Sequence, residues 1–239
     1  ILSNVQQIQL KNGLPQTKSV KDIKTMDFSV EMETGTGKTY VYLKTIFEMN
    51  KKFGFTKFII VVPSIAIKEG TNKTLEITNE HFRGLFDNVN YDYFVYDSSN
   101  LEQVRDFATS TDIRIMIINI DAFKKSFTDP TKDNKANLIH RTNDRLNGMK
   151  PIDFIASTNP IVIIDEPQKI EGQKGKKSKS LQAIDDIEPL FVLRYSATHK
   201  QLYNQIYKLD SYAAYKNDLV KKITVKTVNG VIERDYPYI

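Results

Sequence analysis

Residues 161–168 read IVIIDEPQ. Ile161, Val162, Ile163 and Ile164 follow one another with no polar residue between them, so a strand here has no face to give to water. That pattern belongs to a central strand of a parallel sheet covered on both sides. It constrains the chain more than any other stretch, because such a strand needs a neighbour on each edge and helices above and below. In these sheets ligands gather at the carboxyl ends of the strands, where Asp165 and Glu166 stand. Two acids there also fit a strand that simply finishes in a solvated turn. The choice depends on whether anything upstream brings a metal or a phosphate to them.

The rest of the chain alternates strands with helices. A turn at NGLP (12–15) falls in a polar stretch, 1–27, expected to be a short helix or loop leading into the domain. DFSVEM (27–32) is a short strand. Residues 39–54 carry Val41, Leu43, Ile46, Phe47 and Met49 at helical spacing and end at Gly54. FTKFIIVVP (55–63) is a buried strand, 64–86 is largely helical, YDYFVYD (91–97) is a strand and 100–110 a helix. DIRIMIINIDAF (112–123) is a strand running into a turn. Thr128 to Lys150 is polar and irregular, expected to be a mobile insertion, and EGQKGKKSKS (171–180) an exposed loop. A helix at 181–187, a strand at 190–198 and a tail with weak strand signals complete the pass. No internal repeat is present. This alternation indicates a doubly wound α/β domain with a mostly parallel sheet and helices on both faces.

METGTGKT (32–39) answers the question about the acids. A strand leads into Gly35 and Gly37, then Lys38 and Thr39 open a helix. Glycines let backbone N–H groups wrap phosphates with no side chain in the way, and the helix N-terminus adds partial positive charge at the same spot. Lys38 is placed to reach the β- and γ-phosphates, and the Thr39 hydroxyl to coordinate Mg²⁺. Where the full phosphate-loop pattern has its first glycine, this chain has Met32. An acid at the end of a neighbouring strand holds the Mg²⁺ in such proteins, a role that Asp165 fits; Glu166 is then free to orient and deprotonate the attacking water. Two acids are needed because a carboxylate committed to the metal cannot also act as a free base. YSATHK (195–200) ends another apolar strand, and its Ser196 and Thr198 hydroxyls could link the acid pair to the far side of a cleft or serve equally as a helix cap.

Composition sets outer bounds. The 239 residues suffice for one large or two small domains with a real core. A net charge of +5 permits a polyanionic partner without requiring one. With no cysteine, disulfides and thiolate metal sites are excluded. No apolar run reaches the ~20 residues that span a bilayer, and the first ten residues lack a signal-peptide layout. A chain without an initial Met is expected to be part of something longer.

TGTGKT, DEPQ and SAT, in this order, resemble motifs I, II and III of superfamily 2 helicases and translocases. VVPSIAIKEG (61–70) resembles motif Ia, and INIDAF (118–123) stands in the place of motif Ib. The forms EMETGTGKTYVYLKTIFEMNKKFGFTKFIIVVPSIAIKEG, KPIDFIASTNPIVIIDEPQ and LRYSATH resemble the restriction subunit of type III restriction–modification enzymes, over about residues 27–225. The resemblance implies a RecA-like phosphate-loop domain at 28–227, with 228–239 starting a linker to a second such domain. Thr34, Gly35, Thr36, Gly37, Lys38 and Thr39 would bind ATP and Mg²⁺, and Asp165 and Glu166 would form the hydrolytic pair. Gln168 would sense the γ-phosphate, and Ser196, Ala197 and Thr198 would couple hydrolysis to domain movement. Pro63, Ser64, Lys68 and the segment around Asn119 would contact the backbone of duplex DNA, where motors track phosphates rather than bases. Lys68 fits a solvated helix position equally well. The lysines at 174, 176, 177 and 179 fit a solvated loop better than a DNA groove.

The same resemblance implies a methyltransferase subunit as partner, a second RecA-like domain supplying an arginine finger, a C-terminal nuclease domain beyond this chain and a bacterial cytoplasmic setting without membrane attachment. Gln6, Gln7 and Gln9 are candidates for an adenine contact; His81, His140 and His199 are too scattered for a metal site. Other readings of the same residues are a type I restriction motor, a DNA-repair helicase, a phosphate-loop kinase or switch, and a non-catalytic DNA-binding domain, the last of which would leave both motif sets unused.

Overall fold

The computed structural model describes residues 1–23, 26–124, 139–146, 148–171 and 178–221. Two N-terminal helices, α1 (Leu2–Lys11) and α2 (Val20–Ile23), precede the first strand, β1 (Asp27–Met32). The chain continues through α3 (Lys38–Phe53), β2 (Lys57–Val62), α4 (Ile65–Ile77), α5 (Asn79–Leu85) and β3 (Tyr91–Val95). Then come α6 (Glu102–Thr109), β4 (Ile113–Asn119), α7 (Ile120–Lys124), α8 (Pro151–Ala156) and β5 (Ile161–Asp165). After a single 3-10 turn at Pro167–Lys169 follow α9 (Lys179–Asp185), β6 (Phe191–Ser196), β7 (Tyr207–Leu209) and α10 (Ser211–Lys216).

The strands form one seven-stranded sheet in the order β3-β4-β2-β5-β6-β1-β7. Every ladder in it is parallel. The unbroken apolar strands sit in the middle, as their composition requires. Phe58, Ile60, Ile161, Ile163, Leu193 and Tyr195 point to one face, under α3, α4 and α5. Ile59, Val61, Val162, Ile164 and Val192 point to the other, under α6, α7, α8 and α9. The architecture is the doubly wound α/β arrangement expected of the chain.

Helix α3 shows how local sequence fixes an element. Gly37 enters it at φ 89° and Gly54 leaves it at φ 75°, both left-handed values that a residue with a Cβ resists. The Gly54 N–H closes on Asn50 O. Tyr42, Leu43, Ile46 and Phe47 form its buried stripe, so the core face is centred one residue away from Val41 and Met49, which are only partly buried. Tyr42 belongs there because its hydroxyl meets Thr71 Oγ1 at 3.1 Å.

Several expected elements are redrawn. The helical stretch 64–86 is two helices, broken at Thr78, whose hydroxyl bonds back to Thr74 O at 2.6 Å. The turn after β4 is itself helical, with Asn119 Oδ1 accepting from Asp121 N at 2.8 Å. Much of the expected insertion 128–150 lies outside the described residues, but Ile139 and Leu146 are buried in the second core, so its end is packed rather than loose. Likewise α9 begins at Lys179, because Ser178 Oγ accepts from Leu181 N at 3.1 Å and donates to Ile170 O at 2.7 Å. Of the loop 171–180, residues 172–177 lie outside the described residues, as do the domain limit at 227, the proposed linker 228–239 and the tail from 222. β7 and α10 had no sequence signal strong enough to name them.

Candidate active site

Strand β6 lies between β1 and β5, so the glycine loop and the acid pair do not sit on adjacent strands. The register pairs Glu31 with Ser196 and Asp165 with Tyr195. Ser196 therefore ends the strand that separates the two motifs.

The loop 33–37 turns on itself through Thr36, whose N–H and hydroxyl both donate to Glu33 O, at 3.3 and 2.6 Å. Gly35 (φ 80°) and Gly37 (φ 89°) hold left-handed backbone with nothing within 4 Å of where a Cβ would be. The requirement for glycine there is conformational, and the space beside the loop is open. No side chain caps the start of the 16-residue helix α3, so its first N–H groups and its dipole remain directed at that space. This suits a phosphate chain.

Lys38 Nζ lies 2.7 Å from Glu166 Oε1, with both side chains largely buried. Gln168 Nε2 donates to Glu166 Oε2. Ser196 Oγ has one proton and three acceptors within reach: Gln168 Oε1 at 2.8 Å, Thr198 O at 3.0 Å and Glu166 Oε2 at 3.4 Å. The same oxygen accepts from Thr198 N at 3.0 Å. No helix follows for Ser196 to cap; it closes its own turn and ties β6 to the acid motif. Lys38, Glu166, Gln168 and Ser196 form one connected network.

Asp165 differs from its neighbour. It is buried, its Oδ1 has no hydrogen-bond partner, and its carboxyl is pushed up to about 6 by burial and by the Glu166 charge. Glu166 also suffers from burial, but hydrogen bonds from Lys38 and Gln168 and the Lys38 charge outweigh it and hold its carboxyl below the usual range. Environment separates the two acids into one that welcomes a cation and one already compensated. An orphaned, buried carboxylate oxygen at the end of β5 fits a Mg²⁺ carried by a nucleotide, with the half-buried Thr39 hydroxyl at the start of α3 as the second candidate donor. Among the described residues no group of three or more His, Asp or Glu side chains could hold a metal by itself.

Glu166 also carries backbone strain, at φ 55° and ψ 56° before a proline. Its N–H still bonds Tyr195 O at 2.9 Å. This left-handed corner turns its side chain off the strand direction, toward Lys38.

A family model described as "Type III restriction enzyme, res subunit" matches residues 2–201. The chain belongs to this family. It is 33% identical over 243 residues to the EcoP15I Res subunit of Escherichia coli, with 92% of this chain and 23% of that protein covered. To the EcoPI Res subunit of Escherichia phage P1 it is 32% identical over 237 residues, with the same coverages. The chain therefore spans less than a quarter of the length of these curated relatives. A solved Type ISP restriction–modification enzyme, LlaGI, aligns over 90% of this chain and 20% of its own at 16% identity, with a TM-score of 0.48.

The remaining Res-type motif residues sit on the same edge of the sheet, on the far side of β5 from the loop. Ser64 Oγ caps α4, accepting from Ile67 N at 3.3 Å, directly after the half-buried Pro63. Lys68 stands one turn into that helix, 3.6 Å from Glu69 Oε1. Asn119 pairs with Val62 across the β2–β4 ladder, which brings the two short motifs side by side. Thr34 and Ala197 occupy the glycine loop and the Ser196 turn, exposed and half-buried respectively. Gln9 is committed elsewhere: its carboxamide donates to Thr17 Oγ1 and accepts from Thr17 N, at 2.9 and 2.7 Å. Gln6 Nε2 donates to Thr17 O. These bonds tie the N-terminal helix to the segment at Thr17. Of the four loop lysines, those at 174, 176 and 177 lie outside the described residues, and for Lys179 only its place at the start of α9 is described.

Sequence reasoning missed a buried polar cluster behind the network. Arg194, in the middle of β6, bonds Asp27 Oδ1 through Nε and Nη2 at 2.9 and 2.8 Å. Its guanidinium carbon lies 4.3 Å from the centroid of the Tyr203 ring. The signal was available: an arginine inside LFVLRYS demands a buried acid.

Proposed function

We propose that this chain is the ATP-binding and ATP-hydrolysing motor domain of a DNA-translocating restriction subunit. Family membership supports the reading, and one observation carries it. Lys38, Glu166, Gln168 and Ser196 are joined in a single network next to a buried Asp165 whose Oδ1 has no hydrogen-bond partner.

In this reading the backbone of 34–37 and the start of α3 cradle the phosphates, with Thr34 and Thr36 flanking the glycines. Thr39 and Asp165 would hold Mg²⁺, which supplies positive charge to the phosphate oxygens when bound. Lys38 exchanges Glu166 for the β- and γ-phosphates, because one ammonium cannot serve both at full strength. That exchange frees Glu166 to take the proton of the attacking water. Gln168 holds the freed carboxylate in place, and Ser196, with Ala197 and Thr198, reports its position to β6. Pro63, Ser64, Lys68 and Asn119 form the edge that rests on a duplex DNA backbone. The methyltransferase subunit, a second RecA-like domain bearing an arginine finger and a nuclease domain are the partners this role requires, in a bacterial cytoplasm.

The test is ATP turnover by this chain with and without duplex DNA, after Mg·ATP binding is established by titration. Binding with negligible turnover is the expected result, since the arginine that would stabilise the transition state is not among these motifs. Turnover driven by a small acceptor instead of DNA would transfer the site to a phosphate-loop kinase.

A further inference from the structure

The acid motif has a second outlet, on the side away from the glycine loop. After Glu166 the chain makes one tight turn: Lys169 N bonds Glu166 O at 3.1 Å, and Ile170 N and Glu171 N both bond Pro167 O at 3.0 Å. This turn begins at a proline and is anchored by the buried Ile170, so Glu171 moves with Glu166. The Glu171 side chain is 4% exposed, and neither carboxylate oxygen has a well-formed hydrogen bond, the backbone N–H of Gln201 being the donor that faces it. Its nearest cation is Arg194, whose Nη1 is also buried, also without a hydrogen bond, and 3.8 Å from Glu171 Oε1.

Arg194 is fixed from its other sides. Asp27 of β1 takes Nε and Nη2, and the Tyr203 ring covers the guanidinium plane. Tyr203 belongs to the segment 199–206, which is laced along β1. Its N–H donates to Ser29 Oγ at 2.9 Å and its carbonyl accepts from Ser29 N at 2.7 Å. Gln205 Nε2 donates to Glu31 Oε2 and Asn204 Nδ2 to Asp27 O, both at 2.9 Å. His199 Nε2–H donates to Val30 O at 3.2 Å, leaving a buried Nδ1 with no partner.

We propose that Glu171 and Arg194 are positioning residues, the pair through which the acid motif at the end of β5 sets the segment 199–206 against β1. The inference rests on the nucleotide-binding reading above. A purely structural buried ion pair is closed and fully hydrogen-bonded, because unpaired buried charge is costly. Here both members stand just outside hydrogen-bond reach with orphaned atoms facing each other. At such a separation a displacement on the order of 1 Å decides whether a charge-assisted bond forms. Glu171 is the mobile member, joined to Glu166 by a stiff turn; Arg194 is the fixed one. When Lys38 leaves Glu166 for a phosphate, the turn shifts, the Glu171–Arg194 contact changes, and the bonds of 199–206 to β1 change with it.

Backbone hydrogen exchange of this chain, with and without saturating Mg·ATP, tests the pair. In the native sequence, nucleotide should alter exchange at 199–206 by about fivefold or more. In Glu171→Gln, which keeps shape but loses charge, the nucleotide affinity should stay within about twofold while that response shrinks to less than about twofold. Should Glu171→Gln fail to fold by thermal melting, Glu171→Asp, which keeps charge but shortens the reach, carries the same expectation in weaker form. An undiminished response in the folded variant overturns the proposal, as does a native chain that binds Mg·ATP with no response at 199–206. A native chain that does not bind Mg·ATP removes the underlying reading instead.

Discussion

The two faces of the sheet are built on different terms. Under α3, α4 and α5 the core is closed by rings. Phe47 stacks on Phe82 and Phe86 at 4.8 and 5.3 Å between centroids and meets Tyr91 edge-on at 4.8 Å. Within this core the buried polar atoms are hydroxyls, such as Tyr42 against Thr71 and the unpartnered Tyr91, and a charge, Asp165, enters only at the end of β5. On the other face, around β1 and β6, charged groups, namely Asp27, Glu171 and Arg194, are buried beside the hydroxyls of Ser29 and Ser196. The first face gains from fitting well and loses from any movement. The second leaves charges incompletely satisfied, which costs stability and leaves room for rearrangement. The aromatic face thus favours stability, and the face around β1 and β6 holds most of the incompletely paired charge.

The sharpest way to break the comparison is Phe82→Ala. Phe82 is fully buried, so truncation should cost about 3–5 kcal/mol in chemical denaturation. Mg·ATP affinity of the folded fraction should change by less than about twofold. A large affinity loss would mean that the aromatic face also serves the site.

Next in size is Glu166→Gln. It keeps a hydrogen-bonding side chain for Lys38 but has no basic carboxylate, so Mg·ATP should still bind. Turnover in the complete enzyme should fall by about 100-fold or more. Normal turnover would remove Glu166 as the base.

Smallest is Asp165→Asn, read by melting against pH. Because burial raises this carboxyl from 3.8 to about 6, the folded state binds the proton more tightly than the unfolded chain. The stability it contributes is therefore full below pH 4, declines as pH rises through 6, and is absent above. Asn does not titrate. The variant should be more stable than the native chain at pH 7 by about 1–3 kcal/mol, with the gap vanishing near pH 4. A gap independent of pH would place the effect in packing.

Which parts of this were legible beforehand follows from what each part depends on. The strand β1, the glycine loop, the Gly54 stop of α3 and the acids at the end of β5 rest on local chemistry, and each was readable in its own residues. The grouping of Lys38, Glu166, Gln168 and Ser196 depends on β6 lying between β1 and β5. No local pattern encodes strand order, and only the resemblance to a known family pointed to Gln168. β7 was invisible for another reason: it has three residues, of which only Leu209 is buried. Glu171 was read as the start of an exposed loop because a charged residue beside Gly and Lys normally is one. Its burial follows from the tight turn after Pro167, which swings it under β6.

The left-handed corner at Glu166 has a consequence for how this position can vary. A carboxylate could be supplied there by Asp as well as Glu, and Asp, Asn or Gly would ease the backbone. A β-branched residue would meet a conformational barrier before any chemical one. Selection for hydrolysis and selection for the turn thus act on the same codon but favour different sets of neighbours. A library randomised at 166 alone would return few functional members, and those that fold without hydrolysing would be enriched in Asn and Gly.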